Sequence, residues 1–147
     1  MCGPGFVQKY LSRISGPLLD RIDIHLEVVP VPFNELTEIK PGEKSETIRR
    51  RVISAREIQR ERFKDTEIYC NAQMSTKLLH QHCVPDQTGS QILKNAMEKL
   101  GLSARAYDRI LKVSRTIADL EGAEAILADH LGEAIQYRSL DREGWGA

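Results

Sequence analysis

The clearest pattern in the chain is a helical one in its C-terminal half. Within residues 103–121, apolar and small side chains recur at three- and four-residue steps. They form one continuous stripe of Ala104, Tyr107, Ile110, Leu111, Ser114, Ile117 and Ala118. Ser103 is a good N-cap for this helix, and Gly122 ends it. A last amphipathic helix is predicted over residues 123–137.

Three more helices are predicted ahead of this stripe. Ser45 is a plausible N-cap for the first of them, and Pro85 and Gly101 are typical stop signals for the other two. The predicted helices cover residues 45–63, 75–82 and 86–100.

The first 44 residues have a different character. Short helices are predicted over residues 6–14 and 18–21, and the apolar–polar alternation over residues 22–29 is typical of a strand closed by Pro30 and Pro32. A single strand needs a ladder partner, and no second strand is evident, so the pattern indicates a piece of something larger. The predicted fold is mainly α with one strand, divided into residues 1–31, a linker at 32–44 and a helical domain at 45–147.

Length and charge limit the classes of protein that fit. The 147 residues suffice for one compact domain, and 21 basic against 21 acidic residues leave no net charge to attract nucleic acid or membrane as a whole. No apolar run approaches the length needed to span a bilayer. We therefore expect a soluble, cytoplasmic chain with no membrane partner.

The cysteines do not predict a disulfide framework or a metal site. They are odd in number and far apart, and no C-x-x-C pair occurs. Cys70, His80, His82 and Cys83 have metal-ligand side chains, but their spacing matches no common zinc site. Partly buried side chains are the better interpretation, and no metal ligand is predicted.

The chain lacks the short motifs of a complete active site. It contains no G-x-x-x-x-G-K-[ST], G-x-G-x-x-G, G-x-S-x-G or H-E-x-x-H sequence, so we expect no catalysis by the chain alone. It does place arginines at helix ends. Arg21 lies at a helix–strand junction between Asp20 and Asp23, and Arg105 lies in the first turn after Ser103. From position alone, each arginine either binds an anion or pairs with a nearby carboxylate.

Four segments carry a resemblance to a known family. They are S-G-P-L-L-D-R-I-D at 15–23, S-E-T-I-R-R-R-V-I-S-A-R-E-I-Q-R-E-R at 45–62, L-S-A-R-A-Y-D-R-I-L-K-V-S-R-T-I-A-D-L at 102–120 and A-I-Q-Y-R-S-L-D-R-E-G-W at 134–145. In this order they resemble the magnesium-chelatase-like AAA+ ATPases of the bacterial competence-protein type. The closing Y-R-S-L-D-R favours these members over true pigment-pathway chelatase subunits, so "magnesium chelatase" is then a family name and not an activity.

The resemblance implies a C-terminal part of a ring-forming ATPase, expected to be a homo-hexamer. Residues 1–31 would end the ATPase core, and residues 45–147 would form its helical lid. The missing N-terminal ATPase half would hold ATP and Mg²⁺, and neither is expected to bind this chain alone. By the same resemblance Arg21 corresponds to an arginine finger acting on the neighbouring subunit's ATP, and Arg105 to the sensor-2 arginine contacting the γ-phosphate of its own subunit's ATP. The resemblance also implies that the ring acts on DNA in uptake or recombination.

The residues also allow a free-standing DNA-binding module. The turn Leu100-Gly101-Leu102-Ser103 resembles that of a helix-turn-helix, with Arg105, Arg109 and Lys112 on one face for a major groove. The basic residues of the helix at 45–63 offer a second surface for phosphates. Acidic residues interleave with them, however, which is typical of a solvated helix face.

Overall fold

The computed structural model describes residue 9 and residues 13–33 and 42–138. These residues form six α helices and one 3₁₀ helix, and no strand occurs among them, so the predicted mainly α fold is confirmed. The helices are α1 (Gly16–Leu19), α2 (Ser45–Arg62), α3 (Thr76–His82), α4 (Gln87–Leu100), α5 (Ala104–Glu121) and α6 (Ala128–Gln136), and the 3₁₀ helix is Asn71–Gln73.

Helix α5 is the centre of the fold. It contacts α2, α3, α6 and the 3₁₀ helix, while α4 packs on α6. The predicted stripe of α5 is largely the buried face, with Ile110 and Leu111 in the core cluster. Helix α2 is different, because only Ala55 and Gln59 are buried and Arg62 is partly buried, while its other residues are exposed.

Local capping sets the ends of α4 and α5 much as predicted. The hydroxyl of Ser103 accepts a hydrogen bond from the Ala106 N–H at 3.2 Å, and Asp86 caps α4 by accepting from the Gly89 N–H at 2.6 Å. Gly101 and Gly122 end the two helices with φ angles of 59° and 72°, where a side chain would be strained. The N-cap of α2 is Lys44, so the prediction of Ser45 as that cap is wrong by one residue.

The last helix begins later than predicted. Helix α6 starts at Ala128, whereas the apolar periodicity predicted a start near residue 123. The buried Arg115 side chain explains the difference, because it donates to the carbonyl oxygens of Ala123 (2.5 Å) and Glu124 (2.8 Å). Those carbonyls are thereby bound outside any helix, and the buried Ile126 forms an isolated parallel bridge with Pro85.

The strand predicted over residues 22–29 is not formed. A strand requires a ladder, and within the described chain this segment has one backbone partner beyond the preceding turn, the carbonyl of Tyr137, which accepts from the His25 N–H at 2.8 Å. Its apolar side chains are exposed, Val28 at 88%.

Helix α1 occupies Gly16–Leu19 and not residues 18–21. The helix predicted at 6–14 and the linker at 32–44 lie mostly outside the described residues, and the domain division stays a prediction.

Candidate functional site

Arg105 lies at the N-terminal end of the central helix. It is in the first turn of α5, two residues after the Ser103 cap. Its side chain is exposed, and it forms no hydrogen bond or ion pair with other described residues. An arginine at this end of a helix adds its charge to the free N–H groups and the positive dipole end, which together favour an anion.

Arg21 follows the short helix α1. Its backbone N–H donates to the Leu18 carbonyl at 3.0 Å, and the Ile22 N–H donates to the Leu19 carbonyl at 3.0 Å, so the chain around it is folded into a turn. The Arg21 side chain is exposed and has no partner within the part of the chain that the structure describes. Both candidate arginines are therefore available to an external anion.

Asp23 does not hold Arg21. Its carboxylate accepts a hydrogen bond from Arg109 of α5 at 2.7 Å, which closes an ion pair across 86 positions of sequence. Asp23 therefore anchors the Arg21 segment to the helix that carries Arg105.

Two more contacts attach the same segment to the end of α6. The guanidinium of Arg138, which is fully buried, donates to the Ile22 carbonyl, and the His25 N–H donates to the Tyr137 carbonyl. We call these two contacts and the Asp23–Arg109 ion pair the clasp. Sequence reasoning missed the clasp, although Tyr137 and Arg138 were quoted in the Y-R-S-L-D-R signature, where no role was given to them.

A buried ionic network joins α2 to α5, and sequence reasoning missed it too. The carboxylate of Asp119, 1% exposed, accepts from Arg62 at 2.5 and 2.7 Å, from Arg115 at 3.0 Å and from Asn71 at 2.8 Å. Burial alone would raise the pKa of Asp119, but the hydrogen bonds from Arg62 and Asn71 and the two positive charges outweigh it and lower that pKa. The network fixes α2 on the core and offers nothing to a ligand.

The helix-turn-helix interpretation fits the geometry poorly. Of its three cations, Arg109 is bound to Asp23, and Lys112 donates to the Ala72 carbonyl at 3.1 Å. A recognition helix must present a long free face to the major groove, whereas eight residues of α5 are buried. The Gly101 turn is explained by helix capping alone.

The cysteine–histidine cluster is not brought together. Cys83 is buried in the core, 4.0 Å from the Met74 sulfur, and burial raises the pKa of its thiol to about 11. His82 packs edge-on against Phe63 at 5.7 Å. Among the described residues, no three His, Cys, Asp or Glu side chains are grouped to hold a metal ion.

In the same residues, no helix combines the length and the apolar character that a membrane span requires.

A comparison with known families identifies the family of the chain. Residues 42–138 match the family described as "Magnesium chelatase, subunit ChlI C-terminal", and residues 1–36 match "Magnesium chelatase, subunit ChlI". The chain belongs to the magnesium chelatase ChlI family and contains its C-terminal domain.

Individual relatives narrow the comparison. The chain is 44% identical over 140 residues to competence protein ComM of Haemophilus influenzae, which covers 95% of the chain. It is 42% identical over 142 residues to the uncharacterized protein YifB of Salmonella typhimurium, and 40% identical over 142 residues to YifB of Escherichia coli, each covering 96% of the chain. The chain spans 27% of the length of each of these relatives.

Proposed function

We propose that the chain is the lid-bearing C-terminal part of a ring-forming AAA+ ATPase, in which Arg21 acts on the ATP of a neighbouring subunit and Arg105 on the ATP of its own. The observation that carries this is the Asp23–Arg109 ion pair at 2.7 Å. It joins the segment of Arg21 to the helix of Arg105, and both arginines are left exposed. The family and the length of its relatives support a larger protein around this chain.

The chemistry of both roles rests on the guanidinium group. Charge accumulates on the γ-phosphoryl oxygens as the terminal phosphate is transferred, and a guanidinium neutralises it through paired N–H donors. Mg²⁺, when bound in the ATPase core, supplies further neutralisation of phosphate charge. This chain would add the two arginines to the site.

The exposed segment after Arg21 supports the larger assembly. Ile24, Leu26 and Val28 alternate with polar residues and are 46%, 70% and 88% exposed. Exposed apolar side chains in an extended segment are costly unless another surface covers them. In the proposal they form the last strand of the ATPase core, whose other strands belong to the preceding part of the protein.

The Arg105→Ala variant of the full-length protein tests the role of the lid. Alanine is a good helix former, so the start of α5 should persist. Losing one charged hydrogen bond to phosphate should lower kcat/KM for ATP roughly ten- to hundredfold. Steady-state ATPase assays measure this, with Lys94→Ala, an exposed cation on α4, as the control expected to keep wild-type activity. Equal activity of Arg105→Ala and Lys94→Ala would show that Arg105 does not contribute to ATP binding or hydrolysis.

We further propose that the ring acts on DNA and that α2 contributes to the contact. Arg56 and Arg60 lie one turn apart along a groove of about 840 Å³. Tyr69, 70% exposed, lines the same groove and offers a ring on which a base can stack. Lys64 is already bound to Glu61 at 2.5 Å, so the two arginines are the free cations we assign to phosphate.

Charge reversal on α2 tests this surface. In the full-length protein, Arg56→Glu with Arg60→Glu should weaken binding of a single-stranded oligonucleotide and reduce the slope of log affinity against log salt by about 1–2. The matched control is Lys94→Glu with Lys99→Glu, which makes the same change in net charge on α4. Fluorescence anisotropy at several salt concentrations measures both. An equal loss in the two double variants would mean that only net charge matters and would contradict a contact at α2.

A further inference from the structure

We propose that the clasp positions Arg21 for hydrolysis and links it to the lid helix that carries Arg105, so that Asp23, Arg109 and Arg138 are positioning residues of the ATPase. This inference rests on the proposed function of Arg21 and Arg105. It gives Asp23, Arg109 and Arg138 a shared role in ATP hydrolysis, which the family comparison does not assign.

The backbone at Arg21 is held on both sides. Before it, α1 and its following turn fix the chain through the Arg21 and Ile22 N–H groups. After it, the Ile22 carbonyl is bound by Arg138 and the Asp23 side chain by Arg109. The two residues that follow Arg21 are therefore anchored on the helical domain, while the Arg21 side chain extends freely into solvent.

Such anchoring matters because the finger must reach a phosphate in another subunit. Misplacing a catalytic group by about 1 Å reduces a rate by about a hundredfold, since alignment is what the group contributes. A finger on an untethered exposed segment would sample many positions. The clasp restricts them by attaching the segment to α5 and to the end of α6.

The clasp also connects the two arginines. Arg109 lies four residues after Arg105, one turn further along the same face of α5. Helix α5 is packed against α2, α3 and α6, and in a close-packed interior a shift of the helix would move its side chains together. When Arg105 contacts nucleotide and the helix shifts, Asp23 must follow through its ion pair, and Arg21 with it. The state of one ATP site is thereby transmitted to the finger that serves the next.

The Asp23–Arg109 pair is suited to a test because it contributes little to folding. Its side chains are 42% and 30% exposed, and exposed ion pairs have small effects on stability. Arg138 is buried, and its replacement would disturb the core. The exposed pair therefore separates positioning from folding, whereas an Arg138 variant would not.

The experiment compares ion-pair variants in the full-length protein. Asp23→Asn and Arg109→Gln should each lower kcat for ATP about tenfold or more, with KM within about twofold, because the finger acts on the chemical step. The charge swap Asp23→Arg with Arg109→Asp should restore most of kcat. The matched control is the ion pair between Glu43, just before α2, and Arg51 of α2, whose side chains are similarly exposed at 42% and 49%. Glu43→Gln and Arg51→Gln should leave kcat unchanged.

The outcomes distinguish this inference from the function on which it rests. Rescue by the swap, with unchanged thermal melting, supports positioning. Wild-type kcat in both single variants would overturn the positioning role. A loss of kcat that accompanies a lower melting temperature, and that the charge swap does not restore, would overturn it as well. Arg21→Ala is assayed in parallel. If it keeps full activity, the proposed function fails, whereas an inactive Arg21→Ala beside a fully active Asp23→Asn rejects the clasp alone.

Discussion

Replacing Asp119 by asparagine should destabilise the chain by about 3–5 kcal/mol, because it removes the only carboxylate that Arg62 and Arg115 share among the described residues. Both guanidinium groups are largely buried, at 14% and 4% side-chain exposure, so neither charge regains its full hydration when the carboxylate is lost. The amide of asparagine keeps the volume but not the charge. Urea unfolding followed by circular dichroism measures the change.

The control for this substitution is an acidic residue in an exposed pair. Glu98→Gln removes the partner of Lys94, which lies 4.0 Å away with both side chains 66% exposed, and should change the free energy of unfolding by less than about 0.5 kcal/mol. A loss below about 1 kcal/mol in Asp119→Asn would mean that the arginines find other partners. It would contradict the assignment of the network as the tie between α2 and the core.

The same carboxylate predicts how stability depends on pH. Its pKa is lowered in the folded chain, so the unfolded chain takes up a proton first as pH falls. The contribution of ionised Asp119 to the free energy of unfolding is therefore complete at neutral pH. It is lost as pH falls from the ordinary pKa of an aspartate, about 4, through the lower pKa of Asp119 in the folded chain. The stability gap between wild type and Asp119→Asn should narrow over this range, and a constant gap would contradict the prediction.

Local sequence patterns predicted most of the helices. The stripe and caps of α5 depend on residues within one or two turns, so the sequence alone predicted its extent. The start of α6 and the strand depended on distant groups. Arg115 binds the carbonyls that would have begun the helix at residue 123. The alternation at 22–29 describes a strand whose ladder this chain does not supply among its described residues.

The candidate site shows the same division. Arg21 and Arg105 were found through resemblance and through their places at helix ends, both of which are local properties. The partner of Asp23 lies 86 positions away, and that of Arg62 lies 57 positions away. No periodicity or spacing rule selects one arginine among many at such distances. Contacts of this kind follow from the packing of α2 and the N-terminal segment on α5, which only the structure provides.

Arg21→Ala in the full-length protein should reduce ATP hydrolysis about 10³–10⁵-fold, the loss typical of an arginine finger and equivalent to about 4–7 kcal/mol of transition-state stabilisation. Binding of ATP should be much less affected, because the finger acts on charge that develops during transfer. The exposed Arg13, which lies ahead of α1, provides the control, and Arg13→Ala should retain activity. Steady-state hydrolysis and nucleotide-binding assays separate the two effects.

Subunit mixing shows whether Arg21 acts across a boundary. In the proposed ring, Arg21→Ala would keep the phosphate site and lose the finger, whereas a variant of the phosphate-loop lysine in the ATPase half would keep the finger and lose the phosphate site. Each should be inactive alone. After exchange into mixed rings, some interfaces pair an intact finger with an intact site, so hydrolysis should reappear if Arg21 serves the neighbour. If subunit exchange is verified and activity does not return, Arg21 acts within its own subunit. If Arg21→Ala is active alone, Arg21 is only a surface residue of the helix–strand junction.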